Sequence, residues 1–258
     1  KIPIPVQDTL ATLHEAGFEA YIVGGCVRDI LLERTPKDWD ITTSALPEAI
    51  TALFPESFYE NTFGTVGVKV PIFSISPKST IPPLPDAREI IEVTTYRTES
   101  AYSDKRRPNT VSFSTSLTED LARRDFTINA IAYGKTSTGS WTLVDPFSGQ
   151  TDLDQKTIRT VGNPEERFNE DALRLMRAVR LLTELRSSHK KNLSLEWHLE
   201  AQTKKAIGTL SQNLQYISQE RIRDEFSKII LSSDPSFGIE MLEELRLLPY
   251  ILPELELG

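Results

Sequence analysis

Two aspartates two residues apart are the first residues in this sequence whose types and spacing could do chemistry. Asp38 and Asp40 flank Trp39 in the segment KDWDITT. Alternate side chains of a β-strand share a face, so both carboxylates are predicted to point the same way while Trp39 points into the core. Adjacent carboxylates repel each other unless a cation lies between them, and Mg²⁺ prefers oxygen ligands. The pair alone is a weak indication of a metal site, because many Asp-x-Asp sequences lie in turns.

Two glycines lie upstream of this pair. Gly24 and Gly25 follow the apolar run YIV and precede VRDILL, which has the pattern of a helix. Glycines at the start of a helix let backbone amides approach an anion closely. A Gly-Gly pair by itself is often only a turn, but a metal-binding pair beside a phosphate-binding turn indicates phosphoryl transfer.

A third carboxylate strengthens this interpretation. Glu92 lies between Ile91 and Val93 in the strand-like segment REIIEVTTYR. A charged residue flanked in this way either faces solvent or serves a site. Three carboxylates on neighbouring strands would hold two Mg²⁺ ions, one activating an attacking hydroxyl and one binding a triphosphate.

The elements that would position these residues change along the chain. Residues 1–147 mix helical segments with short β-rich runs, as in an α/β or α+β domain. The predicted strands are Tyr21–Val23, Trp39–Thr42, Thr65–Phe73, Ile90–Tyr96 and Trp141–Val144. Beyond DPFSGQTDLD the apolar residues recur at three- and four-residue steps, which predicts helices. The proline-rich segment 71–88 is predicted to be an exposed loop.

Composition argues against several classes of protein. The formal net charge of −8 argues against a protein that coats nucleic acid indiscriminately, though not against binding at a local basic patch. The three histidines show no metal-ligand spacing beside the single cysteine, Cys26, so no zinc site is expected. A single cysteine excludes an internal disulfide and favours a reducing cytoplasm. No apolar run reaches the roughly 20 residues of a membrane span, and no basic-then-apolar leader is expected before the first motif.

Seven blocks of this sequence resemble, in order, those of the class II tRNA nucleotidyltransferase and poly(A) polymerase family, in the nucleotidyltransferase superfamily shared with DNA polymerase β. The blocks are GGCVRD, KDWDITT, EVTTYRTESAYSDKRRP, DLARRDFTINAIAY, VDPFSGQTDL, IRTVGNPEERFNEDALRLMRAVR and QERIRDEFSKII. They cover most of residues 20–250, and so many matches in one order are highly specific.

The resemblance implies an α+β fold and a division of the chain. Residues 1–147 would form a polymerase β-like catalytic head, in which a mixed sheet packs with helices. Residues 148–210 would form an all-α neck that recognises the nucleotide base, and 211–258 the start of a helical, RNA-binding body. The family continues well past residue 258, so the chain is expected to be either a fragment or a compact member.

The resemblance also assigns roles to individual residues. It implies that the catalytic carboxylates are Asp38, Asp40 and Glu92, with Asp38 and Asp40 as ligands of Mg²⁺. It implies that the triphosphate is bound by Gly24, Gly25 and Arg28, and the ribose by Arg124, Asp125 and Asn129. An acid and an amide can hydrogen-bond a 2′-hydroxyl, which separates NTP from dNTP. Without the resemblance, Arg28 would be interpreted as the partner of Asp29 in a surface ion pair.

Asp171 and Arg174 in EDALR are, by the same resemblance, the template for the incoming base. Their spacing predicts one helical face, on which an ordinary salt bridge is the alternative. Cytosine and adenine both present an amine donor beside a ring-nitrogen acceptor, which a carboxylate and a guanidinium match. Guanine and uracil present the reverse polarity. Further nucleotide or RNA contacts are expected from Arg167, Arg177 and Arg180.

The expected function is therefore template-independent addition of C, C and A to the 3′ end of tRNA, using CTP, ATP and two Mg²⁺ ions. The alternatives are an enzyme that adds only A, a poly(A) polymerase, and an inactive RNA-binding module. Bacterial poly(A) polymerases tend to have a proline after the acid pair, which EDALR lacks. The polar segment 98–109 resembles a loop that CC-adding enzymes lack, and it is predicted to be mobile and to re-form the pocket for ATP.

Overall fold

The computed structural model describes residues 1–59, 64–71, 88–100, 110–136, 139–186 and 196–254, without side-chain detail at 99–100 and 110–111. These residues form two compact units. The first contains residues 1–59, 64–71, 88–98, 111–124, 129–136 and 139–147. The second contains residues 99–100, 110, 125–128, 148–186 and 196–254. Residues 125–128 of the expected head therefore belong to the second unit, and the division into neck and body at residue 210 stays a prediction.

The first unit contains four helices and seven complete strands among its described residues, and two further short strands extend from it into residues 99–100 and 110 of the second unit. The helices of the first unit are α1 (Ile4–Glu15), α2 (Gly25–Leu31), α3 (Pro47–Leu53) and α4 (Leu117–Ala122). The complete strands are β1 (Ala20–Val23), β2 (Asp40–Thr43), β3 (Ser57–Tyr59), β4 (Thr65–Pro71), β5 (Arg88–Thr95), β8 (Ala132–Lys135) and β9 (Trp141–Val144), and the two that cross the boundary are β6 (Arg97–Ser100) and β7 (Thr110–Phe113).

Seven of these strands form one mixed sheet in the order β3-β4-β5-β2-β1-β8-β9. Strands β2 and β5 run parallel, and the other pairs are antiparallel. A mixed sheet packed with helices is the α+β architecture that the sequence predicts, so that prediction is confirmed. The two short strands β6 and β7 pair with each other in a separate sheet. They flank residues 101–109, so most of the segment predicted to be mobile lies outside the described residues, as does most of 71–88.

The apolar alternation of β2, β4 and β5 forms one buried face of this sheet. Ile41, Val66, Ile91 and Val93 are completely buried. Burial of these side chains stabilises the sheet by about 1.5–3 kcal/mol for each. Since neighbours along a strand point to opposite faces, the residues between them are placed together on the other face.

The second unit is mainly helical. Its helices are α5 (Gly149–Asp154), α6 (Pro164–Glu170), α7 (Leu173–Arg186), α8 (Ala201–Leu210), α9 (Gln219–Ile230) and α10 (Pro235–Glu244), and β10 (Thr157–Ile158) pairs in parallel with β11 (His198–Leu199). Helix α7 is the central one, because ten of its residues are buried. It packs against α9 and α10. None of the helices in the described ranges is long and apolar enough to cross a membrane.

Candidate active site

Asp40 and Glu92 lie side by side on the exposed face of the sheet. They are paired residues of the parallel strands β2 and β5. Glu92 is exposed, whereas Ile91 and Val93 on either side of it are completely buried. The alternation of side chains along the strand therefore places Glu92 on the face that meets solvent. Adjacent strands are about 4.8 Å apart, which brings the two carboxylates within reach of a shared cation.

Asp38 lies just outside β2, in the bend that precedes the strand. Trp39 is only 5 % exposed, while Asp38 is exposed and Asp40 is half-buried. The alternation predicted around Trp39 is therefore present, with the tryptophan in the core. The buried indole fixes the backbone between the two aspartates.

This set of donors suits a hard divalent cation. All three side chains offer carboxylate oxygens, and Mg²⁺ is usually bound through one or two carboxylates, substrate phosphates and several waters. Among the described residues, no group of three or more His, Cys, Asp or Glu side chains is gathered closely enough to hold a metal ion by itself. Asp40 and Glu92 therefore fit a cation whose coordination is completed by the substrate, whereas Asp38 precedes β2 and takes no part in the pairing of β2 with β5.

Gly24 brings the backbone close to Asp40 and to a guanidinium group. Its φ of 81° lies in the region that favours glycine. A Cβ at this position would lie 3.1 Å from Nη1 of Arg124 and 3.7 Å from Oδ2 of Asp40. The missing side chain therefore leaves room beside a carboxylate and a cation. Helix α2 begins at the next residue, Gly25.

Cys26 is buried beneath this turn. Its thiol donates to the carbonyl oxygen of Val23 at 3.2 Å. Burial, with a contribution from the carboxylate of Asp40, raises the pKa of Cys26 to about 12. The thiol is therefore protonated at neutral pH and is not a nucleophile.

Arg28 pairs with Asp29, as its alternative interpretation predicted, but the pair is buried and not on the surface. Nε and Nη2 of Arg28 donate to Oδ1 of Asp29 at 3.0 and 2.9 Å. Nη1 of Arg28 also donates to Oδ1 of Asn129 at 2.8 Å. Arg28 thus orients the amide of Asn129. One hydrogen bond therefore joins a residue predicted to bind the triphosphate to a residue predicted to bind the ribose.

A buried aspartate that sequence reasoning missed organises the other arginines of the first unit. Asp120 is completely buried and accepts from Oγ1 of Thr42 at 3.0 Å. It also accepts from Nε and Nη2 of Arg123 at 2.9 and 2.7 Å and from Nη2 of Arg124 at 3.2 Å. Burial alone would raise the pKa of Asp120, but Arg123 and Arg124 outweigh it and the pKa is lowered. The spacing of Asp120 to RR, three and four residues on, was the available signal.

Asp125 is engaged within the second unit. Its Oδ1 accepts from the backbone N–H of Phe126 at 2.8 Å, and its Oδ2 accepts from Nε and Nη2 of Arg177 at 2.9 and 2.5 Å. Asp125 is the largest cause of the raised pKa of Arg177. Contact of Asp125 with ribose stays a prediction, and its observed role is to pair with Arg177.

Glu225 on α9 binds Arg180, another of the three arginines predicted to contact nucleotide or RNA. Its Oε2 accepts from Nε of Arg180 at 2.6 Å, and Nη1 of Arg180 donates to Glu184 at 2.9 Å. Burial would raise the pKa of Glu225, but Arg180 and then Arg177 lower it below its ordinary value. Arg177 and Arg180 therefore neutralise the buried carboxylates of Asp125 and Glu225, and their contacts with nucleotide or RNA stay a prediction.

The predicted base-reading pair does not share a helix. Helix α6 ends at Glu170, and Asp171 follows in an extended conformation with φ −141° and ψ 105°. Its Oδ1 accepts from the backbone N–H of Leu173 at 3.1 Å, so Asp171 caps the start of α7. Arg221 on α9 donates to both carboxylate oxygens of Asp171, at 3.3 Å to Oδ1 and 2.8 Å to Oδ2.

Arg174 binds Glu170 and not Asp171. The alternative interpretation of the pair, a salt bridge between Asp171 and Arg174, is therefore also wrong. Nη1 of Arg174 donates to Oε2 of Glu170 at 2.6 Å and to the backbone carbonyl of Arg167 at 3.2 Å. Arg167 binds the other oxygen of Glu170. Glu170 and Arg221 thus fix the two side chains that were predicted to read the base, and neither was singled out from the sequence.

Comparison with known proteins shows which families and enzymes this chain resembles. A family described as "Poly A polymerase head domain" matches residues 20–159, and one described as "Probable RNA and SrmB- binding site of polymerase A" matches 197–257. A CCA-adding enzyme of Listeria monocytogenes is 42% identical over 249 residues, which are 96% of this chain and 55% of that protein. One of Leuconostoc citreum is 43% identical over 246 residues, 95% of this chain and 54% of that protein.

A solved structure resembles the whole fold. The crystal structure of the Bacillus stearothermophilus CCA-adding enzyme in complex with CTP matches with a TM-score of 0.76 and 37% identity, over 97% of this chain and 54% of that one. This chain spans about half the length of the relatives it matches. It belongs to the class II tRNA nucleotidyltransferase and poly(A) polymerase family, which includes the CCA-adding enzymes, and its first unit is a polymerase β-like nucleotidyltransferase head.

Proposed function

We propose that this chain is the catalytic part of an enzyme that adds C, C and A to the 3′ end of tRNA from CTP and ATP. The observation that supports it best is the in-register pair Asp40 and Glu92 on β2 and β5, in a chain 42% identical to a CCA-adding enzyme. The reaction joins the terminal 3′-oxygen of the RNA to the α-phosphorus of the nucleotide. The bond from that phosphorus to the bridging oxygen breaks, pyrophosphate leaves, and the hydroxyl proton passes to solvent.

The carboxylates of the head would bind the metal. Asp38, Asp40 and Glu92 would hold Mg²⁺, with two ions during catalysis. When bound, these ions would activate the attacking hydroxyl and neutralise the charge that develops on the triphosphate. Trp39, buried in the core, and the β2–β5 pairing keep the carboxylates in place. A rigid arrangement of this kind avoids a cost of reorganisation during the reaction.

The glycine turn would receive the triphosphate. Gly24 has no side chain where Arg124 and Asp40 approach it, so phosphate oxygens can come close to the backbone and to a guanidinium. Gly25 and Arg28 are assigned to the same anion by the family resemblance. Because Arg28 is buried against Asp29, its role would be mainly to orient neighbouring groups.

Ribose and base recognition are likewise proposals. The family resemblance assigns the ribose to Arg124, Asp125 and Asn129. It assigns the base to Asp171 and Arg174, whose acceptor and donor match cytosine and adenine. Each oxygen of Asp171 has two lone pairs and Arg174 has five N–H groups, so the contacts with Arg221 and Glu170 leave capacity for a base. Arg167, Arg177 and Arg180 would make further contacts with the nucleotide or the RNA.

Domain roles and location complete the proposal. Residues 148–210 would act as the neck and 211–258 as the start of an RNA-binding body, supported by the match of 197–257 to an RNA-binding family. A cytoplasmic location is supported by the single, buried Cys26.

Incorporation of labelled nucleotides tests the function. The complete protein would be given tRNA that ends at the discriminator base, with radiolabelled CTP or ATP and Mg²⁺. CCA addition predicts two C residues followed by one A. Addition of A only to tRNA that already ends in CC would indicate the A-adding alternative, and a long A tail would indicate a poly(A) polymerase. No incorporation with either nucleotide would contradict the proposal and leave an RNA-binding module.

A further inference from the structure

The row of side chains that contains Asp40 and Glu92 continues across two more strands. Glu92 pairs with Gly67 on β4, and Gly67 pairs with Phe58 on β3. Directly paired residues share a face of the sheet, so all four positions lie on the face of the carboxylates. With adjacent strands about 4.8 Å apart, the backbone of Phe58 lies roughly 10 Å from that of Glu92.

The ring of Phe58 lies over Gly67. A Cβ at position 67 would be 2.5 Å from Cζ of the ring and 2.8 Å from Cε1, so only glycine lets the ring extend over β4 in the direction of Glu92. The residue is still 36% exposed. An exposed aromatic ring held beside catalytic carboxylates offers a π-face to another planar group.

A lysine accompanies this ring. Lys69 is two residues after Gly67, so it lies on the same face of β4. Its Nζ is 5.6 Å from the centroid of the Phe58 ring, and its side chain is exposed. An exposed ring with a neighbouring cation is the combination that binds single-stranded nucleic acid, since bases stack on the ring and phosphates meet the cation.

The two reactants of a nucleotidyl transfer need different sides of Asp40. On the β1 side, Gly24 and Arg124 approach the carboxylate, which suits a triphosphate. Further along β2, Thr42 donates a hydrogen bond to Asp120 on α4, so α4 covers this face of the sheet at that end of β2. The side towards β5, β4 and β3, where Glu92 is exposed, is the direction left for the attacking RNA strand.

We propose that Phe58 and Lys69 form a subsite for the single-stranded 3′ end of the acceptor RNA. The Phe58 ring stacks on one of the last bases, and Lys69 binds an adjoining phosphate, so that the terminal hydroxyl is directed towards Glu92 and Asp40. The proposal rests on the proposed function, because it takes the attacking group to be an RNA end.

Fluorescence of a labelled RNA tests the subsite without any turnover. The probe is a tRNA lacking its CCA end, with 2-aminopurine as its last nucleotide, titrated with the complete protein in the absence of NTP. Phe58→Leu keeps an apolar side chain over Gly67 and removes the π-face. It is expected to weaken RNA binding about 5- to 100-fold, as loss of one base stack implies, and to abolish the quenching that stacking causes. Lys69→Ala is expected to lower the salt dependence of binding by about one phosphate contact.

Two variants serve as matched controls. Phe58→Tyr keeps the ring and is expected to bind and quench like the wild type. Tyr59→Leu removes the next aromatic residue, which is 48% exposed on the opposite face of β3, and is also expected to have no effect. The KM for CTP is expected to be unchanged in all of these variants.

The outcomes separate the subsite from the function. Wild-type affinity and quenching in Phe58→Leu would overturn the subsite, as would an equal loss in Tyr59→Leu, which would indicate general damage to β3. If the wild type adds nucleotides but Phe58→Leu binds RNA normally, only the subsite is wrong. If the wild type adds none while RNA quenching still depends on Phe58, the subsite stands and the proposed function is wrong.

Discussion

Arg221 on α9 donates hydrogen bonds to both carboxylate oxygens of Asp171, a residue 50 positions earlier in the sequence. The same carboxylate caps α7 through the N–H of Leu173. The direction in which Asp171 presents its remaining lone pairs is therefore set by two elements, the start of α7 and the face of α9. Arg221 therefore helps to orient a carboxylate that is proposed to read the base.

Removal of Arg221 is expected to impair nucleotide choice. Arg221→Ala leaves Asp171 held only by the cap of α7, so its carboxylate samples other directions. Loss of a charge-assisted contact of this kind corresponds to about 1.5–3 kcal/mol, and we expect roughly a tenfold or greater loss of preference for C and A over U and G. Single-turnover rates with all four NTPs measure it. Arg223→Ala, which removes an arginine that is exposed on the same helix, is the control and should keep full preference.

The template pair itself is tested by Asp171→Ala, Arg174→Ala and the double variant. A good bidentate base contact contributes about 1–3 kcal/mol of discrimination, so each single variant should lose roughly ten- to a hundredfold in preference for C and A. The double variant should be less than additive because both groups act on one base.

A purely structural role for Arg174 makes a different prediction. Glu170→Gln removes the ion pair with Arg174 and keeps the shape of the side chain. If Arg174 acts only through that pair, Glu170→Gln and Arg174→Ala should have the same small effect on stability and no effect on nucleotide preference. Retained preference in both single variants of the template pair would contradict base reading.

The carboxylate row is tested by Asp40→Asn and Glu92→Gln. Both variants remove ligand charge with little change in volume, and Asp38→Ala tests the third proposed ligand. We expect nucleotide addition to fall by several orders of magnitude while the melting temperature and RNA affinity stay close to wild type. Asp8→Asn, an exposed acid on α1, is the matched control and should retain activity. Substantial turnover in Asp40→Asn would show that this carboxylate is not a metal ligand.

Asp120 makes the stability of the head depend on acidity. Its pKa in the folded protein lies below the ordinary value of about 3.9, because Arg123 and Arg124 outweigh its burial. Its contribution is therefore fully present above about pH 4 and is lost as the pH falls through the lower folded pKa.

Thermal unfolding from pH 7 to pH 2 measures this contribution. Asp120→Asn should unfold at a lower temperature at pH 7, by an amount that reflects the roughly 3–5 kcal/mol cost of removing one partner from a buried pair. Its melting temperature should also fall less between pH 4 and pH 2 than that of the wild type. An equally steep acid decline in the variant would assign the pH dependence to other groups, of which Glu225 is the first candidate.

The exposed positions of Asp40 and Glu92 were predictable from sequence because side chains alternate strictly between the two faces of a strand. Asp40 and Glu92 each lie between apolar residues, and alternation alone assigns them to the exposed face. Which strands are neighbours is not written in either segment. The parallel pairing of β2 with β5 depends on the packing of the whole sheet. The family resemblance grouped Asp38, Asp40 and Glu92 in one catalytic site, but neither it nor the local pattern identified the strand pairing.

Asp171 shows where pattern reasoning failed. EDALR continues a helical pattern with no proline or glycine to interrupt it, so one uninterrupted helix was the natural interpretation. The chain instead leaves the helix at Asp171, whose side chain caps the next helix. Aspartate is a preferred N-cap, which was the signal available. The partners of Arg177 and Asp171 lie about 50 residues away, a distance over which side-chain spacing carries no information.

The thiol of Cys26, buried at the start of α2 with its pKa raised to about 12, makes this sequence convenient for chemical labelling. Maleimide and iodoacetamide react with the thiolate, so the folded protein should resist both reagents at neutral pH. A cysteine introduced on the surface could then carry a fluorophore without first removing the native one. The slow rate at which Cys26 itself is alkylated would then measure how often the glycine turn opens. A bound nucleotide is expected to lower that rate.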